Sequence, residues 1–213
     1  MAKKKSIKKF AKKTHPASRF AAVVTGASAG GLAVLKQIFS GIDKNFILPI
    51  IVVQHLYPSS DDFIAKSLDA CCKLTVVEAN EKERIEAGKI YIAPANYHLL
   101  VEEDYTLSLT IDPKVNFCRP AIDVLFESAA SAYKSRLIGV LLTGANSDGA
   151  AGLKKIKGFG GVTIVQDPKT AEVDVMPKSA INLFQVDHIL AVQEISKKII
   201  ELSEIDLTKA QHT

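Results

Sequence analysis

Apolar positions along the chain fall into two alternating spacings. Residues 20–24 form a continuous apolar run that reads as a buried strand and breaks at Gly26. Leu32, Val34, Leu35 and Ile38 then recur at helical intervals up to Gly41, so the chain opens as strand, Gly-rich turn and helix. Further strands are expected at 50–53, 74–77, 89–93, 137–142, 162–166 and 188–190, where the residues are mostly apolar. Helices are expected at 121–133, 150–157 and 192–202, with a short one starting at Met176-Pro177. Another is expected at 61–70, after a loop at Pro58, Ser59 and Ser60, with Asp61 and Asp62 suiting the dipole of its first turn. Only residues 97–111 keep a period of two. There Leu99, Val101, Leu107, Leu109 and Ile111 alternate with polar residues about Glu102-Glu103-Asp104, as in an antiparallel hairpin.

Strands that alternate with helices need right-handed crossovers between parallel neighbours. The expected fold is therefore α/β: three layers, doubly wound, with a mainly parallel sheet and one antiparallel hairpin. At 213 residues and 47 % hydrophobic, the chain can bury one substantial core. The expected organisation is a domain over 20–203 with tails at 1–19 and 204–213. No apolar run approaches the ~20 residues of a membrane helix. The lysine-rich start lacks the apolar segment of a signal peptide.

The net charge of +4 belongs to one end of the chain. Residues 1–19 hold eight basic side chains and no acid; the 19 basic residues left face 23 acidic ones, a net −4. The tail reads as a solvated arm, with contact to an acidic partner as the sharper alternative. The body has no basic stripe with interleaved aromatics, which argues against nucleic acid as the main partner. Cys71 and Cys72 are adjacent and Cys118 stands alone, so no disulfide framework is implied and a reducing cytoplasm fits. The five histidines show no metal-ligand spacing, and neither a metal nor a cofactor is expected.

In a parallel sheet, function gathers beyond the carboxyl ends of the strands. Ser28 follows the first strand, His55 the second, and Asp148 the strand at 137–142. Gly26-Ala27-Ser28-Ala29-Gly30 also fits the G-x-S-x-G turn that exposes a nucleophilic serine. Each residue has a plainer explanation: Ser28 and Asp148 as helix caps, His55 as a satisfied strand-end side chain. Together, at three strand ends, they are the inventory of acyl-transfer catalysis.

Thr25 through Gly31, Val53-Gln54-His55, Tyr91-Ile92-Ala93-Pro94 and Arg119-Pro120-Ala121-Ile122-Asp123 are joined by four later segments. These are Leu142-Thr143-Gly144, Ser147-Asp148-Gly149, Gln166-Asp167-Pro168 and Met176-Pro177. In this order they resemble the catalytic domain of the bacterial chemotaxis protein-glutamate methylesterases over about residues 20–203. The resemblance implies hydrolysis of glutamyl methyl esters on the cytoplasmic helices of chemoreceptors, with deamidation of receptor glutamines in some members. It puts the family's triad on Ser28, His55 and Asp148, with backbone amides of Ala29 and Ala145 receiving the oxyanion. Ser28-Ala29-Gly30-Gly31 departs from the usual Ser-Thr-Gly-Gly, and Thr143-Gly144-Ala145-Asn146 from Thr-Gly-Met-Gly. Cys118 stands where a histidine is usual. The receiver domain that commonly precedes this domain does not occur in the sequence, so the catalytic edge is expected to be open without phosphorylation.

Two rival readings remain. A receptor-binding module with decayed catalysis would explain Ala29 and Ala145. A dinucleotide-dependent oxidoreductase would share the Gly-rich opening, but none of Tyr57, Tyr91, Tyr97, Tyr105 or Tyr133 has a lysine four residues on.

Overall fold

A computed structural model describes residues 18–55 and 63–204. Most of the two expected tails, the loop at Pro58, Ser59 and Ser60, and the first turn with Asp61 and Asp62 lie outside the described residues. In chain order the elements are β1 (Ala22–Ala27), α1 (Gly31–Ser40), β2 (Ile50–Gln54), α2 (Phe63–Asp69), β3 (Thr75–Glu78), β4 (Lys89–Ile92), β5 (His98–Val101) and β6 (Leu107–Thr110). There follow α3 (Ile122–Tyr133), β7 (Leu137–Leu141), α4 (Ala150–Gly158), β8 (Val162–Gln166), α5 (Val175–Leu183), β9 (His188–Leu190) and α6 (Val192–Ser203).

Among the described residues, seven strands form one sheet in the order β3-β4-β2-β1-β7-β8-β9, and every neighbouring pair is parallel. From β1 the chain winds outward to β2; from β7 it winds the opposite way to β8 and β9. The crevice at such a reversal, beyond the carboxyl ends of β1 and β7, is where parallel sheets hold their ligands.

Strand side chains alternate between two buried layers, which is why the central strands β1, β2 and β7 are largely apolar on both faces, with buried Thr25 and Gln54 as polar exceptions. Val23, Ile50, Val52 and Val140 pack with Leu35, Phe39, Leu68 and Ile195, and so with α1, α2 and α6. Val24, Ile51, Val53 and Leu141 pack with Phe126, Leu153 and Met176, and so with α3, α4 and α5. Fully burying a side chain such as Phe39 or Phe126 contributes about 1.5–3 kcal/mol.

The hairpin β5–β6 is antiparallel and makes a two-stranded sheet of its own. It cannot extend the main sheet beside β4, because β2 and β3 occupy both edges of that strand. It lies in the α3 layer instead: Leu99, Val101 and Leu107 are buried there, and Val101 N donates to Ser128 Oγ on α3 at 3.1 Å.

Helices α3 and α4 meet at Gly152. A Cβ at that position would lie 2.6 Å from Phe126 Cβ and 3.2 Å from the Asp123 backbone. Its N–H donates to Asp123 Oδ1 at 2.7 Å. Gly152→Val should therefore force the helices apart and cost at least about 2 kcal/mol, lowering the thermal midpoint by about 4–8 °C. An unchanged midpoint by circular dichroism would show that the contact yields freely.

Candidate active site

The sheet register brings three loops to one place. Ala27 is level with Gln54 in β2, and Gly26 with Leu141 in β7. One residue further on, Ser28 N donates to Thr143 O at 2.9 Å and His55 N to Ala27 O at 3.0 Å. Ser28 therefore leaves the sheet flanked by the two loops that carry His55 and Thr143.

The turn after Ser28 is tied from inside. Ser28 O accepts from Gly31 N at 2.9 Å and from Gln54 Nε2 at 2.8 Å. Gly30 adopts the left-handed φ of 73° that a side chain would resist. The N-cap of α1 is Gly30, with no side-chain cap, so the Ser28 hydroxyl does not cap the helix. That hydroxyl lies 3.2 Å from His55 Nδ1. At Gly144 a Cβ would come within 2.8 Å of Ser28 Cβ and 2.5 Å of Met176 Cε, so glycine lets the loop after β7 close on the serine.

His55 Nε2 is 2.8 Å from Asp148 Oδ2. A carboxylate only accepts, so Nε2 carries a proton, and in the neutral ring Nδ1 is left to accept from Ser28. Serine and carboxylate thus face the ring edges opposite to those they occupy in the serine-protease arrangement.

Asp148 is fully buried. Its Oδ2 also accepts from Ile122 N at 2.6 Å, while Oδ1 accepts from Asp123 N at 3.1 Å and Asn116 Nδ2 at 3.0 Å. Ile122 and Asp123 are the first residues of α3, so this carboxylate caps α3 from across the sheet edge. It does not cap the helix that follows it, since α4 begins after Gly149 with no side-chain cap. An anion at a helix N-terminus gains about 0.3–2 kcal/mol.

Burial works to raise the Asp148 carboxyl, but the bonds from His55, Asn116 and Ile122 win and hold it below the usual carboxylate range. Burial works to lower His55, yet its bond to Asp148 and the Cys118 sulfur, 3.6 Å from Nδ1, push it up to about 9. Asp123 goes the other way from Asp148: burial, with the charge of Asp148 beside it, raises it to about 6.

Several of these partners carried no signal in the sequence. Asn116 Nδ2 bridges Asp123 Oδ2 and Asp148 Oδ1, each at 3.0 Å, although it lies 32 residues from Asp148 in an irregular loop. Thr143 Oγ1 lies 2.9 Å from Ala29 O and accepts from Val173 N, fastening the two glycine-rich loops together. In the sequence Asp123 is an acid in the first turn of a helix and the end of the Arg119-to-Asp123 segment, neither of which assigns it a partner. Ala29, which follows Ser28, and Ala145, which follows the Gly144 that closes on Ser28, are exposed, and their amides donate to no acceptor among the described residues. Among those residues, His55, Cys118 and Asp148 also have potential metal-ligand atoms within 4.8 Å of one another. Attack on an ester by a serine does not require a metal there.

Fold and side chains together define a class: a doubly wound α/β protein with serine, imidazole and a buried carboxylate in hydrogen-bonding line at the sheet's switch point. Residues 23–199 match the family model described as CheB methylesterase. The chain belongs to the CheB methylesterase family. It is 49 % identical over 188 residues to a "Putative protein-glutamate methylesterase/protein-glutamine glutaminase" of Leptospira interrogans, covering 88 % of this chain and 97 % of that one. A "Protein-glutamate methylesterase/protein-glutamine glutaminase" of Thermotoga maritima is 41 % identical over 192 residues, covering 89 % of this chain and 56 % of that protein. The chain thus spans little more than half of the Thermotoga protein. The crystal structure of the Thermotoga maritima CheB methylesterase catalytic domain superposes with a TM-score of 0.83 at 40 % identity, covering 86 % of this chain and 98 % of that one.

Proposed function

We propose that the chain hydrolyses the methyl esters of glutamyl side chains on chemoreceptors, and releases ammonia from receptor glutamines by the same chemistry. The observation that carries this reading is the hydrogen-bonded line from Ser28 Oγ through His55 to the buried Asp148. Family membership and the relatives' names support a protein glutamyl methyl ester or glutamine as the substrate class.

In the proposed reaction His55 Nδ1 takes the Ser28 proton as Oγ attacks the ester carbonyl. The resulting imidazolium donates Nε2–H to Asp148, whose own charge is anchored by the first amides of α3. The oxyanion is received by the amides of Ala29 and Ala145, each worth roughly 3–4 kcal/mol if comparable to known oxyanion donors. His55 then returns the proton to the departing methoxide, giving methanol and an acyl-serine. Water, deprotonated by the same nitrogen, releases glutamate and restores Ser28. With glutamine the leaving group is ammonia. Neither a cofactor nor a metal takes part. No helix among the described residues is long and apolar enough to cross a membrane. Chemoreceptor cytoplasmic helices as substrate would place the reaction in the cytoplasm.

The direct test is methanol release from methylated receptor fragments, with irreversible labelling by a serine-directed phosphonate. A protein that releases no methanol and takes no label would instead fit the non-catalytic binding module suggested by Ala29 and Ala145.

The pH dependence follows from His55. The base must be neutral, and its pKa is pushed up to about 9, so kcat/KM should rise about tenfold per pH unit from neutrality and level off near there. A plateau already established by about pH 6.5, the ordinary imidazole value, would mean that His55 does not act in this way.

A further inference from the structure

The loop between the hairpin and α3 carries a side chain for which the fold provides no packing. Val115 N donates to Cys118 O at 3.1 Å and Cys118 N to Val115 O at 2.9 Å, closing a two-residue turn. Its central residues, Asn116 and Phe117, have φ of 51° and 64°. Two successive positive φ values are the requirement of a type I′ turn, for which Asn-Gly is the favoured pair. Asn116 suits its place. Phe117 does not, because a bulky residue in the left-handed region is strained where glycine would not be. Phe117 is also 96 % exposed. The chain thus bears both backbone strain and an exposed apolar ring at a single position.

The turn is held rigidly against the catalytic groups. Asn116, on one side of Phe117, donates to Asp148 Oδ1; Cys118, on the other, places its sulfur against His55 Nδ1. Arg119 Nη1 closes the base of the loop with bonds to Ile111 O at 2.7 Å and Asp112 O at 3.0 Å. Ile111, 71 % exposed, and Val115, 38 % exposed, add apolar surface to the same loop. A polypeptide that brings an esterified side chain to Ser28 must come to the edge where this loop stands.

We propose that Phe117 is the docking residue of this site, a preorganised apolar knob that packs against the receptor helix next to the esterified glutamate. On a helix, residues three and four positions away share the face of that glutamate, and an apolar side chain there is the partner such a knob fits. Preorganisation is what makes the strain useful, since a ring already fixed in place loses little freedom on binding. Phe117 does not touch the reacting atoms. This inference rests on the receptor-esterase reading above and deepens it by naming what recognises the substrate.

The test compares two esters, a methylated receptor fragment and a small water-soluble ester too short to reach the loop. For Phe117→Gly, the ratio of kcat/KM on the receptor to kcat/KM on the small ester should fall about tenfold or more, chiefly through KM. Phe117→Leu, which keeps apolar bulk, should recover much of the ratio. The thermal midpoint of Phe117→Gly should hold or rise, because glycine adopts the turn without strain. An unchanged ratio in Phe117→Gly, or one that Phe117→Leu does not restore, would overturn the docking role. Failure of the wild type to release methanol from the receptor while it cleaves the small ester would remove the receptor reading, and the docking role with it. The two failures are distinct, since one appears in the wild type and the other only in the variants.

Discussion

Ser28→Ala should reduce ester hydrolysis to less than about a thousandth of wild type while leaving the protein folded. The loss is large because no second hydroxyl stands within hydrogen-bonding distance of His55 Nδ1 among the described residues. The fold should survive because the serine holds its turn through backbone groups. Its N–H bonds Thr143 O and its C=O accepts from Gly31 and Gln54. Alanine keeps all three bonds, and it keeps the Cβ that sits against the Gly144 loop. Only the bond from Oγ to His55 is lost. Methanol release and phosphonate labelling read the chemistry, and circular dichroism with a thermal melt reads the fold. Activity above a few per cent of wild type, or a collapse of the melt, would take Ser28 out of the proposed role.

Asp148→Asn should lose up to ~10⁴-fold in kcat, by analogy with the same change in serine proteases, where an amide no longer holds the imidazole in the required tautomer. Here the environment sharpens the expectation. Asp148 receives four donors: His55 Nε2, the amides of Ile122 and Asp123, and Asn116 Nδ2. A carboxylate can accept all four, whereas an asparagine must turn an NH₂ group toward at least one of them. The variant should thus also weaken the start of α3, by about 1–2 kcal/mol from the loss of charge at a helix N-terminus. Loss of stability with near-normal activity would make Asp148 a cap and nothing more. Loss of activity beyond what the melt explains is the result that assigns it to the imidazole.

Much of the architecture could be read from spacing. The strand, turn and helix around Ser28, the β-branched run before His55 and the apolar run before Asp148 mark three parallel strands, because a fully buried strand needs apolar side chains on both faces. Strands that alternate with helices imply the doubly wound sheet, and carboxyl ends that share one edge imply that the three residues meet. Those conclusions depend on local pattern and chain handedness, which a linear sequence carries.

What the pattern could not contain is which distant group meets which. The alternation at 97–111 shows a hairpin with one buried face, but only the occupied edges of β4 decide that it packs on α3 instead of lengthening the sheet. Ser-Asp-Gly before α4 looks like a cap for that helix; the tertiary fold turns the carboxylate to α3 and His55 instead. Asn116 and Cys118 come to the site through a loop of irregular backbone, where no periodicity indicates direction, and Asp123 follows on the first turn of α3. Phe117 shows the same division most sharply. In the sequence it is one more aromatic residue, and only its left-handed backbone and open surroundings distinguish it from a core side chain. Periodicity reports how a segment is buried, and so the sequence by itself determined the layers and the strand ends. Hydrogen bonds between distant segments depend on packing that no single segment encodes, and so the further partners of those strand ends, Asn116 and the first amides of α3, were decided by the tertiary structure alone.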